Sequence, residues 1–329
     1  MNPPPAPERS LEPVETCILC GSAGSSLWLQ APCPERPQER FDIVQCAECG
    51  LRRLSPRPTP ESLRSYYEND YYSYQFGGVR PRGHRLKVAL WRKLGMLPLN
   101  GSRGLVSRTV RALAAGLLGI RAVWTLPAPA SGQRFLDLGC GAGERLELAR
   151  DLGWETYGVD LGEAAVAAAA ARGHRTATAD AQHLPFASGS IDYLNLGHVL
   201  EHAANPLLVL QECRRVLRPG GAIQVDVPNA DSWGARHFGG NWRALDVPRH
   251  LYHFTPATLT RLLRQAGLRV ATLRTLPNQI ILEQSRQLAG IEAPLTRWQG
   301  LVCKWRARLG QGEYLDAWCT AARTGPESE

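Results

Sequence analysis

Short apolar runs alternate with amphipathic segments from residue 133 to the C-terminus. The apolar runs predict strands at 134–138, 155–160, 174–178, 191–196, 221–227, 269–275 and 314–322. The amphipathic segments predict helices at 144–152, 163–172, 206–217 and 256–266, and an inserted helix within 281–309. We expect Trp298, Cys303 and Trp305 to pack the inserted helix. Strands that alternate with helices indicate an α/β domain built on a parallel sheet.

The first predicted strand runs into a glycine-rich motif, Asp137-Leu-Gly-Cys-Gly-Ala-Gly143. Glycine permits torsions and close approaches that a Cβ would block, so a ligand can lie against bare backbone at the start of the next helix. Asp137 and Glu144 flank the loop and would repel a pyrophosphate. The motif therefore favours a ligand with a cationic end over a dinucleotide.

Two further carboxylates follow the next predicted strands. Asp160 ends the second strand, where a carboxylate can accept hydrogen bonds from two vicinal ribose hydroxyls. Asp180 follows the third strand and can accept from an exocyclic amine. Open α/β sheets bind ligands at this edge, so the pattern predicts a nucleoside-type ligand.

With these motifs the chain resembles the class I S-adenosylmethionine-dependent methyltransferases, from about residue 133 onward. The segments Ser190–His202 and Leu217-Arg-Pro-Gly-Gly221 match further motifs of that family. The resemblance implies an α/β fold with a Rossmann-like seven-stranded sheet that ends in an antiparallel hairpin. It also implies S-adenosylmethionine as cofactor. The residues that it assigns to the cofactor are Asp137, Gly139, Gly141, Gly143, Asp160, Leu161, Asp180, Ala181 and His198. Another nucleotide on the same fold is the alternative.

The same resemblance points to acceptor-side residues after the fourth and fifth strands. Glu201-His202 matches an acid–histidine pair that lines the family's pocket, and Pro248-Arg-His-Leu-Tyr-His-Phe254 resembles a substrate-side loop of glycan-cluster methyltransferases. A histidine suits proton removal near neutral pH, so His250 and His202 are candidate catalytic bases. The expected substrate contacts are Glu201, Asn229, Arg249 and His253.

Two alternatives to a histidine base remain. Many members of the superfamily use no protein base, and His250 or His253 could instead cap a helix beside the N-cap signal Thr255-Pro256. The spacing of His, Asp and Glu along the chain shows no catalytic-metal pattern, so we expect metal-independent transfer.

A matched pair of cysteine motifs lies near the N-terminus. Each is Cys-x-x-Cys followed by glycine, and two such turns supply the four thiolates of a tetrahedral structural zinc site. The predicted zinc ligands are Cys17, Cys20, Cys46 and Cys49. Cys33 is expected in a Pro-rich loop as a spare thiol, and a redox Cys-x-x-Cys pair is the competing interpretation.

The cysteine module resembles the zinc-ribbon head of methyltransferases from bacterial surface-glycan and secondary-metabolite gene clusters. Phe41–Gln45 predicts a strand into the second knuckle, and a short helix with an aromatic turn follows at 62–72. In that resemblance the aromatic turn lies near the cofactor or substrate pocket. Its tyrosines could equally dock the ribbon onto the domain; they are Tyr66, Tyr67, Tyr71 and Tyr72.

Charge is concentrated in one segment. The net charge is +8, and residues 80–130 hold ten Lys or Arg with no Asp or Glu. Leucines and valines at helical spacing predict two cationic amphipathic helices there, broken at 98–101. Such helices can form a lid on the domain, lie on an anionic membrane surface through residues 80–125, or bind nucleic acid, which we favour least.

Together these features predict four segments: a disordered tail at 1–13, a zinc-ribbon head at 14–79, a basic linker or lid at 80–130, and a methyltransferase domain at 131–329. No apolar run is long enough for a spanning helix and no signal peptide precedes the head, so a cytoplasmic location is expected, with peripheral contact at the inner membrane face as an option.

The predicted function is S-adenosylmethionine-dependent methyl transfer to a small molecule or glycan, at oxygen. Zinc-headed sugar C-methyltransferases share the knuckles but have an additional C-terminal domain. Methyl transfer to RNA and a non-catalytic scaffold role are two competing functions. The intact cofactor motifs argue against the scaffold.

Overall fold

The computed structural model describes residues 10–67, 126–127 and 129–321 of the 329-residue chain. The predictions for the basic segment and for Tyr71 and Tyr72 lie outside these residues. Within them, no helix has the length and hydropathy needed to cross a membrane. The predicted segment boundaries at residues 13, 79 and 130 stay predictions.

The described chain divides into two compact units. The first contains residues 10–67, 180–190 and 194–321, and the second contains 126–127, 129–179 and 191–193.

The N-terminal head belongs to the first unit. Its elements are β1 (Leu11–Glu12), β2 (Ser25–Cys33), β3 (Arg36–Cys46), β4 (Arg52–Leu54), β5 (Arg57–Pro58) and α1 (Pro60–Arg64). β2 and β3 form the hairpin between the two cysteine knuckles. Alternate residues of β3 are buried, namely Glu39, Phe41 and Ile43, which is the pattern of a strand with one covered face. Cys33 ends β2 rather than lying in a loop, so that prediction was wrong.

The second unit carries the glycine motif. Its elements are β6 (Arg134–Leu138), α2 (Glu144–Leu152), β7 (Glu155–Asp160), α3 (Glu163–Ala170) and β8 (Arg175–Thr178). β6 pairs in parallel with β7, with Asp137 opposite Gly158. β7 pairs in parallel with β8, with Asp160 opposite Thr178. Phe135 stacks on Tyr193 with ring centroids 5.7 Å apart, so an aromatic contact fixes the first strand.

The rest of the chain supplies the remaining strands. Its elements are β9 (Ile191–Gly197), α4 (Pro206–Val216), β10 (Leu217–Pro228), α5 (Trp233–Phe238), two 3₁₀ turns (Gly239–Asn241 and Arg243–Leu245), β11 (Tyr252–His253), α6 (Pro256–Gln265), β12 (Leu268–Leu276), α7 (Gln279–Leu288), α8 (Arg297–Arg308) and β13 (Tyr314–Ala321). Thr255 caps α6 through a capping box with Thr258 and Pro256 occupies its first turn, as the N-cap signal predicted.

One mixed sheet has the order β12-β13-β10-β9-β6-β7-β8. β13 runs antiparallel to both β10 and β12, so the predicted terminal hairpin is present. The prediction of a Rossmann-like seven-stranded sheet is therefore confirmed.

The inserted segment departs from its prediction. Two helices, α7 and α8, occupy it instead of one, because a turn with Gly290 in a left-handed conformation separates them and Thr296 caps the second. Trp298 and Trp305 are 72% and 58% exposed, and of the three residues expected to pack the insert only Cys303 is buried. Trp298, Leu301 and Trp305 of α8 thus face outward, whereas Cys303 and Ala307 face inward.

A short strand joins the head to the loop before α6. β11 pairs antiparallel with β4, Tyr252 opposite Arg53, and completes the four-stranded sheet β11-β4-β3-β2. The backbone N–H of Leu54 also donates to the carbonyl of Leu251. The head sheet therefore holds the loop at 239–254 through backbone hydrogen bonds.

Candidate active site

The three motif glycines all have left-handed backbone torsions. Their φ angles are +73° at Gly139, +49° at Gly141 and +86° at Gly143. A Cβ added at Gly143 would lie 3.1 Å from the Cβ of Ala169. Glycine is therefore favoured by conformation along the loop, and at its last position a Cβ would also crowd Ala169.

Asp160 is bonded to the glycine loop. One carboxylate oxygen accepts from the N–H of Gly141 and the other from the N–H of Gly162, both at 2.9 Å. Because each oxygen has a second lone pair, the carboxylate keeps acceptor capacity for a ligand. Asp137 is buried, and Leu161 beside Asp160 is exposed. This part of the second unit fits a nucleoside ligand with vicinal hydroxyls.

The other predicted cofactor residues belong to the first unit. Asp180 caps its own turn by accepting from the backbone and the side chain of Gln182, and Ala181 lies between them. His198 follows β9 with φ +57°, an uncommon conformation for a residue with a side chain. Its Nδ1 lies 3.1 Å from Oε1 of Glu201, and its ring packs edge-on against Tyr314.

Glu201, His202 and His250 form a tight side-chain cluster in the first unit. Glu201 and His202 lie in the turn after β9, whereas His250 lies in the loop that the head sheet holds. Each of the three side chains has one nitrogen or oxygen atom that could bind a metal, and these three atoms all lie within 4.8 Å of one another. The centroids of the two imidazole rings are 4.6 Å apart. Glu201 has no exposed surface.

Backbone carbonyls set the orientation of both imidazoles. Nδ1 of His250 lies 2.9 Å from the carbonyl of Ala244, and Nδ1 of His202 lies 3.1 Å from the carbonyl of Arg249. A carbonyl only accepts, so Nδ1 of each ring donates its proton and Nε2 carries a lone pair. Tyr67 of the head adds a contact to His202, with its hydroxyl 3.1 Å from Nδ1.

Burial keeps the imidazoles neutral. It lowers the pKa of His250 to about 4, assisted by the charge of His202, and lowers the pKa of His253 to about 3. The pKa of His202 is lowered by the same cause. For Glu201 burial opposes the charge, but the hydrogen bond and charge of His198 outweigh it and hold the pKa at about 2. The cluster therefore combines one carboxylate with neutral imidazoles at pH 7.

A buried ion-pair network anchors the loop that carries His250. Arg249 donates to Asp246 and to Glu35 of the head at 2.5 Å, and Arg243 donates to Asp246 at 2.6 Å. Burial opposes the charge of Asp246, yet His250, Arg243 and Arg249 together hold its pKa well below the usual range. Arg249, predicted to contact substrate, has its guanidinium engaged in this network.

Two further predicted substrate residues are buried. Asn229 donates from Nδ2 to the carbonyl of Gly312 and accepts from the N–H of Asp231, which braces the turn before β13. His253 lies on β11, and within the described chain its Nε2 has no hydrogen-bond partner.

The four predicted zinc ligands come together in the head. The Sγ atoms of Cys17 and Cys49 are 3.4 Å apart and those of Cys20 and Cys46 are 3.5 Å apart, close to the roughly 3.8 Å expected for two sulfurs on one zinc ion. Burial opposes a thiolate at Cys46, but backbone hydrogen bonds from Cys49 and Glu48 lower its pKa to about 6. The cluster is compatible with structural zinc.

Residues 110–273 match the family described as a methyltransferase domain. The chain contains a methyltransferase domain. Binding of S-adenosylmethionine follows from this fold, and the glycine loop and Asp160 fit that cofactor.

Curated relatives share the methyltransferase segment. A Mycolicibacterium smegmatis protein named as an S-adenosylmethionine-dependent methyltransferase is 34% identical over 145 residues, 43% of this chain and 53% of the relative. A Cereibacter sphaeroides ubiquinone biosynthesis O-methyltransferase is 33% identical over 156 residues, 43% of this chain and 62% of the relative. The chain thus spans between half and two thirds of the length of these relatives.

Among solved structures, a chain from the complex between the Haloferax volcanii Trm112 methyltransferase activator and a methyltransferase is similar at 21% identity. The matched region covers 74% of the present chain and 98% of the solved chain, with a TM-score of 0.48.

The methyltransferase domain holds one group that spacing along the chain did not reveal. Glu201, His202 and His250 offer metal-type ligand atoms within one small volume, so the expectation that no His, Asp or Glu group has metal-ligand spacing does not hold in three dimensions. The sequence did hold a signal for each of the two segments that form the cluster, since both Glu201-His202 and the loop at 248–254 are rich in residues that can bind a metal.

Proposed function

We propose that this protein is an S-adenosylmethionine-dependent O-methyltransferase that acts on a small molecule or a glycan. The proposal is carried by two observations: an intact cofactor motif in the second unit, and in the first unit a buried cluster of one carboxylate and two oriented imidazoles. The named relatives include an O-methyltransferase, which agrees with transfer to oxygen.

Asp137, the glycine loop and Asp160 are the residues that would hold the cofactor. Asp160 would accept from the ribose hydroxyls with its remaining lone pairs, and the bare backbone of the loop would permit close approach. S-Adenosylmethionine supplies a methyl group on a cationic sulfur with a neutral thioether as leaving group. The protein has to position the acceptor and to dispose of the acceptor's proton.

The cluster is the candidate for that proton step. A new O–C bond forms as the C–S bond breaks, and the hydroxyl proton must pass to a base. The lone pairs on Nε2 of His250 and His202 are available at pH 7 because burial keeps both rings neutral. We assign the base role to His250, with His202 second.

Cofactor binding tests the first half of the proposal. Calorimetric titration with S-adenosylhomocysteine should show binding by the wild type, and Asp160→Asn should weaken it about 10- to 100-fold through the lost ribose hydrogen bonds. The matched control is Glu163→Gln, an exposed carboxylate three residues along, which should bind like the wild type. A folded wild-type protein that fails to bind would favour the scaffold role.

An acceptor screen tests the second half. Nucleotide-linked sugars, small hydroxylated metabolites and RNA are offered with labelled cofactor, and His250→Ala is compared with His237→Ala, an exposed histidine. Once an acceptor is found, His250→Ala should lower turnover about 100-fold or more at unchanged cofactor affinity. Near-normal turnover would remove His250 from the mechanism, and labelling of RNA alone would replace the proposed acceptor.

A further inference from the structure

The buried cluster contains atoms that lack partners. Within the described residues, Oε2 of Glu201 and Nε2 of His202 are buried and make no hydrogen bond. Nε2 of His250 lies 3.7 Å from Oδ2 of Asp246, which is beyond hydrogen-bond distance. Leaving a buried carboxylate oxygen and a ring nitrogen unpaired costs free energy, so a missing partner is expected for them.

The hydrogen bonds around the cluster are those of metal-ligating histidines. A histidine that binds a metal through one nitrogen usually donates from the other to a backbone carbonyl or carboxylate, which sets the tautomer and the ring orientation. Ala244 and Arg249 provide these carbonyls for His250 and His202. Glu201 is held in turn by His198, which leaves Oε2 available.

Asp246 lies next to His250 but its carboxylate is bound to other side chains. Its carboxylate is occupied by the guanidinium groups of Arg243 and Arg249. Asp246 is not among the residues whose ligand-type atoms cluster, so the donor set is two imidazoles and one carboxylate.

We propose that Glu201, His202 and His250 bind one divalent zinc-type cation, separate from the cysteine site. Two imidazoles and a carboxylate are a known catalytic donor set for zinc, with the fourth position left open. Ligand atoms on such an ion are about 3.4 Å apart, so the present separations of up to 4.8 Å need to close by about 1.4 Å at most.

The open fourth position on the cation would take the acceptor hydroxyl of the methyl transfer. This step rests on the proposed function. A hydroxyl oxygen bound to zinc loses its proton more readily. The cation would thus lower the pKa of the acceptor hydroxyl, whose proton would pass to solvent water, in place of direct proton removal by His250.

Metal analysis of the full-length protein tests the proposal. After zinc loading and desalting, the wild type should contain two zinc ions per chain, and His250→Ala and His202→Ala should each contain one. His237→Ala is the matched control and should keep two. Competition with a zinc indicator should show the second site weakened about 100-fold or more in the cluster variants. One zinc in the wild type, or two in both cluster variants, overturns the proposal.

A variant-free measurement covers the case in which the substitutions unfold the protein. Crystals of the zinc-loaded wild type, measured on both sides of the zinc absorption edge, should show an anomalous peak among Glu201, His202 and His250 as well as one in the cysteine cluster. A single peak at the cysteines overturns the site.

The metal readout separates this inference from the proposed function. Two zinc ions with no methyl transfer to any acceptor would leave the metal site standing and reject the O-methyltransferase. One zinc ion, with turnover lost in His250→Ala, would reject the metal site and support His250 as base.

Discussion

The cysteine cluster of the head and the Glu201–His202–His250 cluster are built in opposite ways. Each half of the cysteine cluster is a single turn, closed by backbone hydrogen bonds from Gly21 to Cys17 and from Gly50 to Cys46. The histidine cluster joins a turn after β9 to a loop that is held by the head sheet and a buried ion-pair network. The first depends on local geometry and the second on packing, so substitutions should affect them differently.

The largest effect is expected from Cys17→Ser. Structural zinc contributes free energy directly to folding, so loss of a thiolate should release the zinc and unfold the head, with a fall in Tm of many degrees. Zinc content and circular dichroism melting measure it. Cys33→Ser is the matched control, a buried cysteine away from the cluster, and should keep its zinc. Equal zinc loss in both variants would contradict the assignment of ligands.

Asp246→Asn should come next. It removes the buried carboxylate from between Arg243 and Arg249 and leaves their charge only the half-exposed Glu35 as a partner, at a cost of about 3–5 kcal/mol in the free energy of unfolding. Glu35→Gln, which changes the 48% exposed partner of the same Arg249, should cost about 1 kcal/mol or less. Urea denaturation measures both. Similar costs for the two variants would show that the loop does not depend on the buried pair.

Lowering the pH should reduce the free energy of unfolding through His253, by a smaller amount that grows with each pH unit. An unfolded histidine binds a proton below about pH 6.5, whereas folded His253 binds one only near its pKa of about 3. The stability it contributes is therefore present above pH 6.5 and lost as pH falls toward 3, by up to about 1.4 kcal/mol per pH unit. The difference in unfolding free energy between the wild type and His253→Asn should shrink between pH 6.5 and 4.5. A constant difference would mean that His253 titrates normally.

The smallest effect is expected from Gly21→Ala. Gly21 has φ +76° with no atom near a new Cβ, so only backbone strain opposes alanine, at about 1–2 kcal/mol. Gly24→Ala is the control, since Gly24 lacks a positive φ and its new Cβ would make ordinary contacts. Thermal melts with zinc bound compare them. A neutral Gly21→Ala would show that the knuckle does not need its left-handed residue.

Much of the fold followed from local pattern. The strands at 134–138 and 155–160 and the helix at 144–152 have the predicted bounds, because a buried strand followed by a glycine turn is unambiguous over such short stretches. The insert at 281–309 was mispredicted because helical periodicity does not say which face a neighbour covers, and Trp298 and Trp305 remain exposed.

The candidate site divides in the same way. The glycine loop and Asp160 were predicted by motif, and the structure shows them hydrogen-bonded to each other. The substrate roles of Arg249 and Asn229 came from the family resemblance and stay predictions; the structure shows their side chains engaged in a buried ion-pair network and a buried turn. Position along a chain cannot say which polar groups neutralise one another in the interior.

The sequence by itself determined the α/β sheet, the glycine loop and the four thiols of the head, because each depends on torsions and contacts within a few residues. Only the tertiary structure decided that β11 joins the head sheet and that His250 meets Glu201 and His202, 48 positions after the latter. These long-range contacts depend on the closure of loops and on the pairing of buried charges, and the spacing of residues along the chain predicts neither.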